Sequence, residues 1–266
     1  MTTNQTNTQI VATIGPSSKE VSTLIAMFEA GLSIARLNFS WGTRDEHRTY
    51  VAAIQMAAGQ ANVSAPIIQD LSGPRVQTGA GHTLDSDMTV ITDKDICDIQ
   101  ALADLNIEYV ALSFVKDVDD IAQLRRHLAD ARSTSKVIAK IERPEALQNL
   151  DDIIAAADGI MIARGDLGDA VPYATLPFIK KDILRRCNAA NTPAIVATDM
   201  LSSMVDHDKP SRADVSDIAH AVLDGASATM LSNETATGAH PVKAVEVMRT
   251  VVDEAGRHTK CSVTYF

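Results

Sequence analysis

Short apolar runs alternate with amphipathic stretches along the whole chain, the sequence mark of repeated βα units. Eight such pairs can be counted. The predicted strands are Gln9-Ile14, Ser33-Phe39, Pro66-Leu71, Tyr109-Phe114, Lys136-Ile141, Gly159-Ala163, Ala194-Thr198 and Ala228-Leu231. They are rich in Ile, Val and Ala and poor in charge, as parallel strands buried on both faces must be. Between them lie helical patterns with boundary signals: Ser17-Ser18 ahead of Lys19-Ala30 with Gly31 behind it, Gly225 after Arg212-Asp224, and Pro241 in the first turn of the last helix. A helix after every strand and a count of eight predict an α/β fold of one kind, a single (β/α)8 barrel, rather than an open doubly wound sheet.

Composition agrees with that picture. The 266 residues are close to the roughly 250 that a (β/α)8 barrel requires, so residues 1–266 are expected to form a single domain. Hydrophobic residues make up 45% and charged residues 22%, enough apolar volume for a core and too much for disorder. The formal charge of −10, with no cluster of Lys or Arg, argues against nucleic acid or an anionic membrane as partner. No run approaches the ~20 apolar residues of a membrane span, and Met1 to Gln9 lack the apolar stretch of a secretion signal. Cys97, Cys187 and Cys261 are far apart and form no C-x-x-C pair, so neither a disulfide frame nor a zinc site is expected. A cytoplasmic protein, with homo-oligomerisation open, is the expectation.

One connection departs from the rule. Between the third strand and a helix starting near Asp93 lie residues 72–92, Ser72 to Thr92, rich in Gly, Thr, Ser and Asp, where βα loops usually take about 2–6 residues.

Barrel active sites sit where strands end and βα loops begin. Those ends collect Arg36, Asn38, Ser40, Asp70, Ser113, Lys140, Glu142, Arg164, Gly165, Asp166, Thr198, Ser232 and Glu234. In Lys140-Ile141-Glu142 the two-residue alternation sends a cation and a carboxylate to the same side. A structural ion pair is one reading; the other is a lysine that neutralises developing enolate or phosphoryl charge beside a metal-binding carboxylate. In Ala163-Arg164-Gly165-Asp166-Leu167-Gly168 a strand ends in a glycine-bearing turn, and Asp166 can face the same point as Glu142. Two carboxylates completed by ligand oxygens suit Mg2+ or Mn2+. Thr198 and Ser232 could each orient a proton-carrying water, although such hydroxyls are more often caps. Trp41 is expected to pack, with a pocket wall as the other reading, and the histidines are expected to be solvated.

Taken together, these segments resemble the catalytic barrel of pyruvate kinase from about Gln9 to Glu254. The motifs that carry the resemblance are Ala12-Thr-Ile-Gly-Pro-Ser17, Ala35-Arg-Leu-Asn-Phe-Ser40, Asp70-Leu-Ser-Gly-Pro74, Val137-Ile-Ala-Lys-Ile-Glu142, Asp158-Gly-Ile-Met-Ile-Ala-Arg-Gly-Asp-Leu-Gly168, Ala197-Thr-Asp-Met-Leu201, Ala221-Val-Leu-Asp-Gly-Ala226 and Met230-Leu-Ser-Asn-Glu-Thr-Ala236. The resemblance implies that Glu142 and Asp166 bind Mg2+ or Mn2+, that Lys140 stabilises the enolate and the transferring phosphoryl group, and that Arg36 reaches the phosphate. It also implies that Ala163, Gly165, Asp166 and Thr198, with Arg164 beside them, hold the substrate carboxylate, and that Asn38, Ser40, Asp70 and the carbonyl of Leu71 form a K+ site.

The departures from the family pattern are as informative. The family's lid domain, inserted after the third strand, does not fit within residues 72–92, and no counterpart of its C-terminal domain is expected in this sequence. Trp41 stands where the family expects His, Gln77 where it expects Arg, Asp199 for Gln, Ala170 for Glu and Asn233 for Gly. The losses fall on the nucleotide side, so use of ADP or ATP is in doubt while the ligands of a small carboxylate substrate survive. The expected function is therefore metal-dependent enolate chemistry on phosphoenolpyruvate, pyruvate or a related 2-oxo acid: enolisation, decarboxylation or C–C cleavage. Pyruvate kinase proper on a lidless barrel is the alternative, and a non-catalytic 2-oxo-acid-binding barrel the second.

Overall fold

The computed structural model describes residues 8–78, 81–85, 88–259 and 263–266. Cys261 lies outside them. Eight strands, β1 (Gln9–Thr13), β2 (Ile34–Asn38), β3 (Ile67–Asp70), β6 (Tyr109–Leu112), β7 (Lys136–Ile141), β8 (Gly159–Ala163), β9 (Ala194–Ala197) and β10 (Ala228–Leu231), close into a barrel in which each neighbouring pair runs parallel and β10 returns to β1. Around it stand α1 (Val21–Glu29), α2 (Arg44–Ala61), α3 (Asp93–Leu102), α4 (Val118–Asp130), α5 (Pro144–Gln148), α6 (Leu150–Ala156), α7 (Arg164–Ala170), α8 (Leu176–Ala190), α9 (Arg212–Leu223), α10 (Asn233–Ala236) and α11 (Pro241–His258). The protein is a single (β/α)8 barrel.

Local chemistry explains the helix starts. Thr43 with Glu46, Thr92 with Asp95 and Ser211 with Asp214 form reciprocal capping boxes, each satisfying two otherwise orphaned N–H groups and worth about 1 kcal/mol. The expected Ser17-Ser18 start of the first helix is corrected. Ser18 is fully buried, its hydroxyl accepts the Gly15 N–H at 3.1 Å, and the helix begins later, at Val21, without a side-chain cap. Helices α1 and α9 end at Glu29 and Leu223, one residue before the expected Ala30 and Asp224. Gly31 and Gly225 take φ of +109° and +90°, the left-handed turn that lets the chain leave α1 and α9.

Residues 72–92 are not a plain loop. They hold an antiparallel hairpin, β4 (Arg75–Thr78) and β5 (Gly81–Leu84), with Arg75 paired to Leu84. The period-2 signal of this hairpin spans only four residues per strand and carries charge, which hid it among turn-forming residues.

Alternation along each strand divides the core in two. Val137, Ala139 and Ile141 of β7 face the helices in the large outer cluster, whereas Ile138 turns inward to a second cluster with Val11, Ile34, Ile68, Met161 and Ile195. That inner layer fills the N-terminal half of the barrel. Phe266 packs onto it from below: its N–H donates to Gln9 Oε1 at 3.0 Å and its ring meets Tyr109 edge-on at 5.6 Å. Each inward series changes character toward the strand's C-terminal end, as in Ile138, Lys140 and Glu142 or Ile34, Arg36 and Asn38. A dry floor therefore underlies a polar mouth.

Candidate active site

The mouth opens into a cavity of about 770 Å3. Its floor is a chain of charges. Asp70, at the end of β3, receives Arg36 Nε at 2.7 Å on one carboxylate oxygen and Lys140 Nζ at 2.9 Å on the other. Lys140 also donates to Ser113 Oγ at 2.6 Å and lies 3.0 Å from Glu142 Oε1, so one ammonium ties together three neighbouring strand ends. The Ser113 hydroxyl in turn donates a hydrogen bond to the Leu71 carbonyl at 2.7 Å. Glu142 Oε2 accepts the Phe114 N–H at 2.6 Å, and Phe114 adopts φ +57° to present it.

Burial and the neighbouring cations compete to set the proton affinities here. Asp70 is fully buried, which alone would raise its pKa, but the adjacent Arg36 and Lys140 outweigh desolvation and hold it below the usual carboxylate range. Glu142 is equally buried; desolvation wins over Lys140 and Arg75, and its pKa is raised. A carboxylate held at such a cost in a cavity wall is a functional-site signature. Glu142 Oε1 and Asp166 Oδ2 both reach a single atom, Nη2 of Arg75, at 3.4 and 3.2 Å. Two carboxylate oxygens converging on one point fit one hard cation, with water or ligand oxygens completing its shell. Among the described residues no group of three or more His, Cys, Asp or Glu is placed to hold a metal ion, so the pair would depend on ligand or water oxygens to complete a shell.

The opposite wall is built of hydroxyls. Thr198 stands just past β9 at φ +67°, uncommon for a β-branched residue, and Asp199 follows at +55°. Thr198 Oγ1 accepts the Gly165 N–H at 2.8 Å and donates to Ala197 O at 2.7 Å, which fixes the turn between β8 and α7 against β9. Ser232 lines the cavity with a buried Oγ that has no hydrogen-bond partner. Its N–H is held by Glu234 Oε2 at 2.6 Å, and Glu234 Oε1 takes the Leu201 N–H at 3.0 Å. Glu234 thus ties the connection after β9 to the end of β10.

The structure brings Arg36, Lys140, Glu142, Ala163, Gly165, Asp166, Thr198 and Ser232 to one cavity. Arg164 is not among its lining residues. Its guanidinium is held by Asp217 and by the carbonyls of Ala197, at 3.2 Å, and Thr198, so it braces the end of β9. The four acceptors expected for K+ are each engaged by protein donors: Asn38 by the Ser40 N–H, Ser40 by Arg75 Nη1, Asp70 by Arg36 and Lys140, and Leu71 O by Ser113. Trp41 is corrected from packing residue to cavity wall, being 53% exposed. His47 is corrected from solvated to buried. It stacks on Phe39 at 3.9 Å with Nε2 at 2.9 Å from the Trp41 carbonyl, and burial lowers its pKa.

Against known proteins, the family model of the pyruvate kinase barrel domain matches residues 5–90 and 81–245. The chain belongs to the pyruvate kinase family. A pyruvate kinase of Agrobacterium vitis is 32% identical over 332 aligned positions, covering 94% of this chain and 69% of that protein. One from Geobacillus stearothermophilus is 33% identical, covering 92% of this chain and 56% of the relative, and one from Thermococcus litoralis is 32% identical, covering 92% and 68%. The chain thus spans between 56% and 69% of these pyruvate kinases. The 332 aligned positions exceed the 266 residues of this chain, so the relative carries additional residues within the aligned span. The two pieces of the family match overlap at residues 81–90, a span that begins with β5.

Sequence reasoning missed Arg75, the one cation that touches both Glu142 and Asp166 among the described residues. A signal was present: it directly follows the Asp70-Leu-Ser-Gly-Pro74 motif that links this chain to pyruvate kinase. Its direction depends on a hairpin whose period was too short to read.

Proposed function

We propose that this barrel transfers a phosphoryl group between phosphoenolpyruvate and ADP, with Glu142 and Asp166 holding Mg2+ or Mn2+. The observation that carries this reading is the buried junction at Lys140, one ammonium bonded to Asp70 and Ser113 and set 3.0 Å from Glu142, beside two carboxylates that converge on a point. A bound divalent cation would supply positive charge to the carboxylate and phosphoryl oxygens of the substrate. Lys140, held in place by three partners, would set its positive charge beside an enolate oxygen as negative charge develops there. Arg36, fixed by Asp70 and by Thr13 Oγ1 at 2.9 Å, is placed for the phosphate. Ala163, Gly165 and Thr198 would orient the substrate carboxylate, and the Ser232 hydroxyl, free of protein partners, can carry a proton to or from the enol carbon through water. Residues Gly15, Pro16, Trp41, Tyr50 and Thr237 extend the cavity beyond this cluster, leaving room for a second substrate. A K+ beside Asn38, Ser40, Asp70 and Leu71, and a cytoplasmic setting, belong to the same reading. Among the described residues no helix is long and apolar enough to cross a membrane.

A second reading keeps the enolate half alone, as enolisation, decarboxylation or C–C cleavage of a 2-oxo acid. It is favoured by the shortness of the β4–β5 hairpin, four residues per strand, at the point where the family match breaks into two pieces; a hairpin of that size would exclude little water from the site. One NMR sample separates the two: protein, Mg2+, K+ and pyruvate in deuterated water, followed by phosphoenolpyruvate with ADP. Loss of the pyruvate methyl proton signal together with formation of ATP is expected. Exchange without ATP selects the enolate reading. The absence of both removes each of them and leaves a ligand-binding barrel.

A further inference from the structure

Arg75 stands at the centre of the site in a manner that its neighbours do not. The ion pairs of the floor are short, 2.7 Å for Arg36 with Asp70 and 2.9 Å for Lys140 with Asp70. Arg75 reaches Glu142 and Asp166 at 3.4 and 3.2 Å and Ser40 Oγ at 3.3 Å, three long contacts from a side chain only 9% exposed. Its Nε is buried and has no hydrogen-bond partner. A charged group removed from water yet bonded loosely is poorly compensated, because desolvation is repaid only by good geometry. Its remaining support is the Phe114 ring, whose centroid lies 4.9 Å from the guanidinium carbon, a contact worth about 0.5–2 kcal/mol.

The guanidinium therefore lies between the same two carboxylate oxygens that converge to hold a hard cation. Both cannot use them at once. We propose that Arg75 is a built-in competitor for the divalent metal: it keeps Glu142 and Asp166 together until a metal carrying an anionic ligand displaces it, and the β4–β5 hairpin moves as it leaves. The inference rests on the reading that these two carboxylates hold the metal. Charge explains why the ligand is needed. Arg36, Lys140 and Arg75 already balance Asp70, Glu142 and Asp166 through the floor and its rim. A bare dication adds two positive charges beside three existing cations, whereas oxalate or an enol phosphate brings the negative charge that offsets them. The hairpin is a suitable moving part. Two strands of four residues have little stability of their own, and Val76 beside Arg75 is exposed.

The test is Mn2+ binding by electron paramagnetic resonance, with and without oxalate, to the wild-type protein, Arg75→Met and Arg75→Lys. Arg75→Met is expected to bind Mn2+ alone at least about tenfold more tightly than wild type, and to gain less from oxalate, because the like charge has gone. Arg75→Lys, which keeps the charge, should stay near wild type. Equal or weaker Mn2+ binding by Arg75→Met, with binding of the Mn2+–oxalate pair intact, overturns the competitor and leaves the metal reading standing. Failure of the wild-type protein to bind Mn2+ under either condition overturns both. Hydrogen exchange on the unaltered protein gives an answer that does not depend on any variant folding: the amides of Arg75 to Thr78 should exchange faster with Mg2+ and oxalate present. Unchanged exchange there with metal bound also overturns the proposal.

Discussion

The two walls of the cavity are made in opposite ways. On the side of β2, β3, β6 and β7, Arg36, Asp70, Ser113, Lys140 and Glu142 are buried and saturate one another with bonds of 2.6 to 3.0 Å. On the side of β8, β9 and β10, the carboxylate of Asp166 stands beside hydroxyls, Thr198 sits in left-handed backbone, and Ser232 keeps a buried hydroxyl without a partner. The charged wall is rigid because removing any one partner strands another. The hydroxyl wall instead holds its cost in conformation and in an unmet hydrogen bond, the kind of local compromise that clusters where a ligand is meant to supply what is missing.

Lys140→Met should break the contrast most severely. It leaves Asp70 and Glu142 facing each other across a site that has lost its shared cation, a change that costs about 3–5 kcal/mol for a buried pair. Urea denaturation should show that loss, and pyruvate proton exchange should fall by about a thousandfold through loss of the enolate counter-charge. A variant of wild-type stability and rate would show that the floor is merely decorative.

On the other wall a pair of variants at Thr198 sharpens the point. Both Thr198→Ala and Thr198→Gly lose the hydrogen bond from Gly165, worth about 1 kcal/mol, but only glycine relieves the positive φ. Thr198→Gly should therefore be the more stable of the two by about 0.5–1 kcal/mol in thermal melts, the reverse of the usual preference for alanine. If alanine proved the more stable, the backbone at this position would not be strained.

The smallest effect on stability is expected from Ser232→Ala. The hydroxyl makes no protein bond, so its removal should change unfolding free energy by less than about 0.5 kcal/mol while slowing proton exchange at pyruvate. A large loss of stability instead would mean that the hydroxyl has a structural partner.

The legible parts of this protein are those carried by strands. Lys136–Ile141, Gly159–Ala163 and Ala228–Leu231 were bounded to the residue, because strands buried on both faces leave unbroken apolar runs between polar punctuation. Lys140 and Glu142 were legible for the same reason, since alternation alone sends both inward. Side chains on connections were not. Arg164 follows β8 directly, yet it turns out toward Asp217. Arg75 turns in from a hairpin, and His47 is buried by a stack on Phe39 that no local pattern announces. In each case the direction of the side chain is set by a contact distant in sequence, which a one-dimensional period does not contain.

Phe266 gives the barrel two unlike ends. A β-carbon added to Gly159 would come within 2.4 Å of its ring, so that glycine and that phenyl group fit as stopper and neck. With the inner apolar layer above it, that end of the barrel is filled by side chains among the described residues. A molecule seated over Lys140 and Glu142 would have packed phenyl and aliphatic side chains behind it, so its way in from the polar mouth would also be its way out.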